Sequence, residues 1–140
     1  MESRRGRLRQ GFRKGSIMDI NLDDLYAILA TVARNQDQIT YGDLSQRYFD
    51  RTEDWHEPHG SWDEPLGELN QMLLTLRWPP LSAVVVLQDI GEPGGRFWDQ
   101  PPDVPPRPAN DITRIGEYSR ILRLVHDANW PVTIPLAPPT

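Results

Sequence analysis

Apolar residues recur at helical spacing in three long stretches of this chain. Leu22, Leu25, Ile28, Leu29 and Val32 form the first. Leu66, Leu69, Met72, Leu73 and Leu76 form the second. Ile112, Ile115, Ser119 and Leu122, with Val125 or His126, form the third. Each stretch predicts a helix with one face turned to a core. The first covers residues 22–35, with Asn21 as N-cap and Asp23 and Asp24 in the first turn, where the helix dipole favours acids. The polar run Asn35-Gln36-Asp37-Gln38 ends it. The second covers residues 64–76. Pro65 suits an early helical position, and Trp78-Pro79-Pro80 closes it. The third starts at Ala109 or Asn110, capped by Asn110 and Asp111, and runs to His126.

Between the first two stretches lies Ile39-Thr40-Tyr41-Gly42-Asp43-Leu44-Ser45. Here a β-branched pair enters a Gly-containing turn, Thr40 caps a new helix, and Asp43 sits in its first turn. Leu44 and Tyr48, joined by Arg47, share a face, which predicts a short helix over residues 43–49. Together with the first helix it makes a helix-turn-helix-like pair. Residues 50–61 are crowded with charge and contain Pro58 and Gly60, so they predict a loop.

The run Leu81-Ser82-Ala83-Val84-Val85-Val86-Leu87 predicts a buried strand, being short and largely β-branched. Gly91-Glu92-Pro93-Gly94-Gly95 predicts a turn, and Arg96-Phe97-Trp98 a returning strand. The two strands make a small β-hairpin with a wing at residues 89–96. Residues 99–108 hold five prolines and predict an extended strap. Trp130-Pro131-Val132 can fold back on the domain. The expected fold class is α+β and mostly helical: a winged-helix-like domain with a small β-hairpin and a C-terminal helix. It spans residues 19–130, preceded by a flexible basic leader (1–18) and followed by a loose Pro-rich tail (131–140).

Charge divides the chain. Residues 1–14 carry six basic groups against one acid, a net +5 in a chain of net −5, which leaves −10 for the remainder. A basic arm on an acidic body can touch nucleic acid or acidic lipid. The plainer reading is a dispensable leader, with Met18 placed to be the true start. Cysteine is absent, which removes disulfides, thiolate catalysis and Cys-ligated zinc, and fits a cytoplasmic location. No apolar run reaches the roughly 18 residues of a membrane helix, so no membrane partner is expected.

Candidate chemistry is sparse. His56-x-x-His59, with Asp54 and Glu57 beside it, is the nearest approach to a metal site. Pro58 between the histidines forbids a helical pair of ligands, so a solvated acidic loop is the better reading and no metal is expected. Ser61 near His59 lacks a nucleophile turn. Gly91-x-x-Gly94-Gly95 precedes no helix, so it lacks the anion-binding end of a phosphate loop. No cofactor and no catalytic residue are expected. The aromatics offer more. Of Trp55, Trp62, Trp78, Phe97 and Trp98 some must be core, and the plainer reading is that they cap the helical core from outside. Trp55 and Trp62 sit among acids, where burial is harder, and with Trp98 they are candidate anchors for a basic partner.

Thr40-Tyr41-Gly42-Asp43-Leu44-Ser45 also resembles the Thr-Tyr-Gly-x-Leu-Ala turn and helix in the DNA-binding domain of alkylguanine-DNA alkyltransferases and alkyltransferase-like proteins. Pro80-Leu81-Ser82-Ala83-Val84 lies where that family has Pro-Cys-His-Arg-Val, and Pro93-Gly94-Gly95 follows as its Gly-Gly segment does. The resemblance covers about residues 22–126. It implies a winged-helix scaffold and, at Tyr41, a contact to phosphate. It does not carry the chemistry: Leu81, Ser82 and Ala83 replace the family's Cys, His and Arg. The family's third helix inserts an Arg into the duplex; residues 64–76 hold Glu64 and Glu68 and no basic residue. The reading that follows is a non-enzymatic module binding a basic protein partner through an acidic, Trp-containing surface. The alternative is DNA binding through the basic arm and Arg96 on the wing.

Overall fold

Asn21 opens the first helix as the spacing predicts: its side chain accepts from the Asp24 amide at 3.0 Å. The computed structural model describes residues 20–100 and 103–139; the basic leader lies outside the described residues. Helix α1, Leu22–Arg34, buries Leu25, Tyr26, Ile28, Leu29, Ala30, Val32 and Ala33. So broad an apolar face needs neighbours on several sides, and α1 packs against the three later helices as well as the segment after Pro80.

A two-residue strand, β1 (Ile39–Thr40), runs into α2 (Tyr41–Thr52). Thr40 is the N-cap, its hydroxyl accepting from the Asp43 amide at 3.1 Å. Helix α2 runs three residues past the expected Phe49. Thr52 back-bonds to the Tyr48 carbonyl, and Glu53 stops the helix in a left-handed conformation at φ 67°. Helix α3 (Asp63–Thr75) starts and stops where the pattern places it.

Residues 81–87 differ from expectation. Leu81–Val84 form a 3-10 turn and only Val85–Val86 are extended, as β2. An all-apolar run shows burial on every side but has no period from which to choose a backbone. Here helices surround it, and its polar groups are satisfied one at a time. The Ala83 amide donates to the Pro80 carbonyl at 3.0 Å. The Ser82 amide donates to Asn70 Oδ1, and Tyr118 donates to the Ala83 carbonyl at 2.8 Å.

The hairpin is also corrected. β2 pairs in parallel with β1, Ile39 opposite Val85 and Thr40 opposite Val86. Arg96-Phe97-Trp98 does not return as a strand; Gly95–Phe97 is a second 3-10 turn. Pro93, which has no N–H to give a ladder, sits in the turn that would have had to feed that strand. Residues 87–92 close on themselves through Leu87 N to Glu92 O and Gly91 N to Leu87 O. The Pro-rich strap is pinned by an antiparallel bridge between Gln100 and Val104, and Val104 is buried.

Helix α4 (Asp111–Asp127) buries Tyr118, Ile121 and Val125, with Leu122 partly covered. The expected face holds at Leu122 and Val125 but not at its start: Ile112, Ile115 and Ser119 are exposed, and Tyr118 and Ile121 take the core side instead. Tyr118 decides the rotation. Its hydroxyl reaches the 3-10 turn and accepts from Gln38 Nε2 at 2.8 Å. Arg114 locks the helix start through Glu92 at 2.8 Å. Beyond α4, Trp130 is buried, and residues 131–139 lie on the body: Trp78 Nε1 donates to the Ala137 carbonyl at 2.7 Å. The architecture is α+β and mostly helical, with a two-stranded sheet.

Burial pushes the Tyr118 hydroxyl up to about 12, and that of Tyr26 likewise. The unfolded value is near 10, so the native state holds the proton more tightly. A raised phenol contributes stability that is complete below pH 10 and is lost as pH rises from about 10 to 12. Urea midpoints taken from pH 9 to 12 should fall across that window, and Tyr118→Phe should flatten part of the fall. An equal slope in wild type and variant would refute the assignment to Tyr118.

Candidate functional site

The surface that distinguishes this chain starts at the end of α2. Ser45 lies on the buried side of that helix and donates from its hydroxyl to the His56 carbonyl at 2.6 Å. Trp62 Nε1 donates to the Ser45 Oγ at 2.9 Å. The loop between α2 and α3 is therefore tied to α2 at two points. Edge-on aromatic contacts complete the tie. Trp62 meets Tyr48 at 5.4 Å between ring centroids and His56 at 5.9 Å; Tyr48 meets His56 at 5.5 Å. Tyr48 reaches further and accepts from the Asn21 amide at 2.8 Å.

Burying Tyr48 turns the next residue outward. Phe49 is 40% exposed and stands edge-on to Trp55, 49% exposed, at 6.3 Å. Acids surround this pair in sequence: Asp50, Glu53, Asp54 and Glu57 are all exposed. Asp50 accepts from Gln46 Nε2 at 2.9 Å. Among the described residues none of the four is in an ion pair; Arg51, the nearest base in sequence, is taken by Asp24 at 2.7 Å. The result is an exposed aromatic pair on an ordered, acid-rich stretch, in which Arg47 on α2 is the neighbouring base outside any ion pair among the described residues.

The remaining sequence candidates separate. Trp62 is fully buried and Trp98 is 6% exposed, so neither is a surface anchor. The indole N–H of Trp62 finds a partner in Ser45, which removes the cost of placing it beneath a charged loop. Phe97 holds Trp98 edge-on at 5.3 Å. Glu64 and Glu68 are exposed on α3, as expected of an acidic helix face. Tyr41 is half-buried and its hydroxyl accepts from the Gly94 amide at 3.4 Å. Burial raises its pKa. A Cβ on Gly94 would stand 3.2 Å from the Tyr41 oxygen, so a larger residue there would push that hydroxyl back by a few tenths of an ångström. Arg96 is exposed and shares a narrow cleft with Tyr41 and Asp63, so an acid faces the same space. Among the described residues no group of three His, Asp or Glu side chains is arranged to hold a metal.

One polar cluster was not legible in the sequence. Asn70, fully buried on α3, donates from Nδ2 to Ser82 Oγ at 2.6 Å and to Gln100 Oε1 at 3.3 Å. Its Oδ1 accepts from the Ser82 amide at 3.2 Å. Gln100 in turn donates to the Phe97 carbonyl at 2.8 Å. Asn70 thus bonds three segments that share no regular sheet. Its position between Leu69 and Gln71, on the flank of an apolar stripe, is the only trace in the sequence. Asn70→Leu keeps the branched shape, though it is bulkier, and strands the Ser82 amide, which should cost roughly 1–3 kcal/mol in urea unfolding. A loss below about 0.5 kcal/mol, the level of a surface change, would show that the cluster is not a brace.

Comparison with protein-family models, with curated proteins and with solved structures returned no match for this chain. Among the described residues no helix is long and apolar enough to cross a membrane.

Proposed function

We propose that this chain is a non-enzymatic binding module that takes a basic protein partner on the Phe49–Trp55 surface. The observation that carries the reading is the exposed aromatic pair on a stretch whose four exposed acids make no ion pair among the described residues. Large aromatics supply most of the binding energy at such surfaces, and a charged rim sets the encounter rate and the sign of the partner. Because Ser45 and Trp62 already hold the loop, little ordering entropy is lost on binding.

The scaffold reading is a winged-helix-like domain of alkyltransferase-like type whose wing segment lacks a β-hairpin and whose chemistry is gone. What supports the non-enzymatic part is the state of residues 81–83. Leu81 and Ala83 are fully buried, and Ser82 is 5% exposed and bonded to an amide, not to a base. The DNA-binding alternative is weaker because α3 offers Glu64 and Glu68 to solvent and Arg96 is faced by Asp63. A phosphate backbone needs several Lys or Arg contacts.

The test uses fluorescence anisotropy with two probes, a Lys/Arg-rich peptide carrying one central Phe and a duplex DNA of random sequence. The peptide is expected to bind, more weakly as salt rises from about 0.05 to 0.5 M. Duplex binding that survives removal of Trp55, with no peptide binding, would replace this proposal by the DNA reading.

A further inference from the structure

Two tryptophans far apart in sequence meet on one face of the body. Trp78 follows α3 and Trp130 follows α4, and their rings lie 5.0 Å apart, tilted by 31°. Residues 131–139 cross this face. They contain Pro131, Pro135, Pro138 and Pro139. The Trp78 indole N–H donates to the Ala137 carbonyl, which immediately precedes the Pro138-Pro139 pair. Pro135 is buried and Ile134 packs on the core. Val132 and Leu136 point to solvent, 85% and 92% exposed. A groove shared by Trp78, Asp127 and Asn129 runs alongside.

The anchoring of this segment has two separate parts. Its start is bolted down: Tyr26 donates to the Pro131 carbonyl at 2.6 Å, and Arg34 donates to the same oxygen at 2.7 Å and to the Trp130 carbonyl at 3.2 Å. Beyond Pro131 the hold is lighter. Among the described residues, one side-chain hydrogen bond reaches residues 132–139; Ile134 packs on the core and Pro135 is buried, while Pro138 and Pro139 are exposed. A flat indole with a donor on its edge suits proline-rich chain for physical reasons. An indole face can pack on a pyrrolidine ring, and its N–H can take a carbonyl left free in a chain where proline supplies few amide donors. Proline-rich chain also loses little entropy on docking, being stiff beforehand.

We propose that the Trp78–Trp130 shelf is a binding site for proline-rich segments of other polypeptides, held in cis by residues 132–139. The outward Val132 and Leu136 contribute little to the seat, so the register asks for one aliphatic residue, a buried proline one position on, as at Ile134-Pro135, and one free carbonyl ahead of a proline pair, as at Ala137. Other sequences can meet that demand. Covalent attachment gives the resident segment an effective concentration in the millimolar range. A free peptide therefore binds well only when the resident segment is released.

The experiment places a protease site between Val132 and Thr133 in the full chain, so that the protein folds before it is cut. After cleavage and gel filtration, a labelled peptide of residues 132–140 is titrated into cut and uncut protein. Binding to the cut protein should be at least about 10-fold tighter than to the uncut chain. Trp78→Phe should weaken it by about 10-fold by removing the donor. A peptide with Ala at 135, 138 and 139 should weaken by a similar factor. Cut protein that keeps its helical circular dichroism and binds no peptide overturns the proposal. So does cut protein that unfolds, because the segment is then part of the fold. Equal binding of the Ala peptide overturns the proline class.

Discussion

Trp62→Ala is expected to cost about 3–5 kcal/mol of unfolding free energy, the usual range for deleting a buried large aromatic. Trp62 has no exposed surface, and its loss removes three supports at once. The hydrogen bond to Ser45 goes, the edge contacts to Tyr48 and His56 go, and a cavity opens between α2 and the loop before α3. A domain of this size has about 5–15 kcal/mol in total, so the variant should approach global unfolding at moderate urea. Trp62→Phe separates the causes: most of the ring volume stays, the N–H is lost, and about 1–2 kcal/mol should disappear. A loss under about 1 kcal/mol for the Ala variant would mean that the loop is not anchored through this side chain.

Phe49→Ala with Trp55→Ala should do the opposite. Both rings are about half exposed, so stability should change by less than about 1 kcal/mol. Binding of the basic Phe-containing peptide should fall about 30-fold or more, the mark of a removed hot spot of roughly 2 kcal/mol. Replacing Glu53, Asp54 and Glu57 by their amides should act differently, slowing association and flattening the salt dependence while leaving dissociation largely unchanged. Peptide binding that survives the double aromatic variant would remove the Phe49–Trp55 surface from consideration. The contrast between Trp62 and Trp55 matters here because the two residues sit seven positions apart in the same acidic stretch.

That contrast also shows where sequence reading stopped. Trp55 and Trp62 have similar neighbours, and charge density alone made both look exposed. Ser45, seventeen positions before Trp62, supplied the acceptor that let one of them go under. Phe49 was missed although its position off the Leu44–Tyr48 face could have revealed it. The stripe on α4 was read correctly at Leu122 and Val125 and wrongly at its start. The bonds of Tyr118 to Ala83 and Gln38, thirty-five and eighty residues away, set the core side there.

Helix positions and caps were legible from the chain itself, because each depends on contacts within about four residues: Asn21, Thr40 and Asn110 each accept from the amide three residues on. The parallel β1–β2 pairing, the 3-10 turn at Leu81–Val84, the seat of residues 131–139 and the choice of buried tryptophan came only with tertiary structure. These depend on which groups across the molecule are left to satisfy a buried N–H or carbonyl. No local pattern records that.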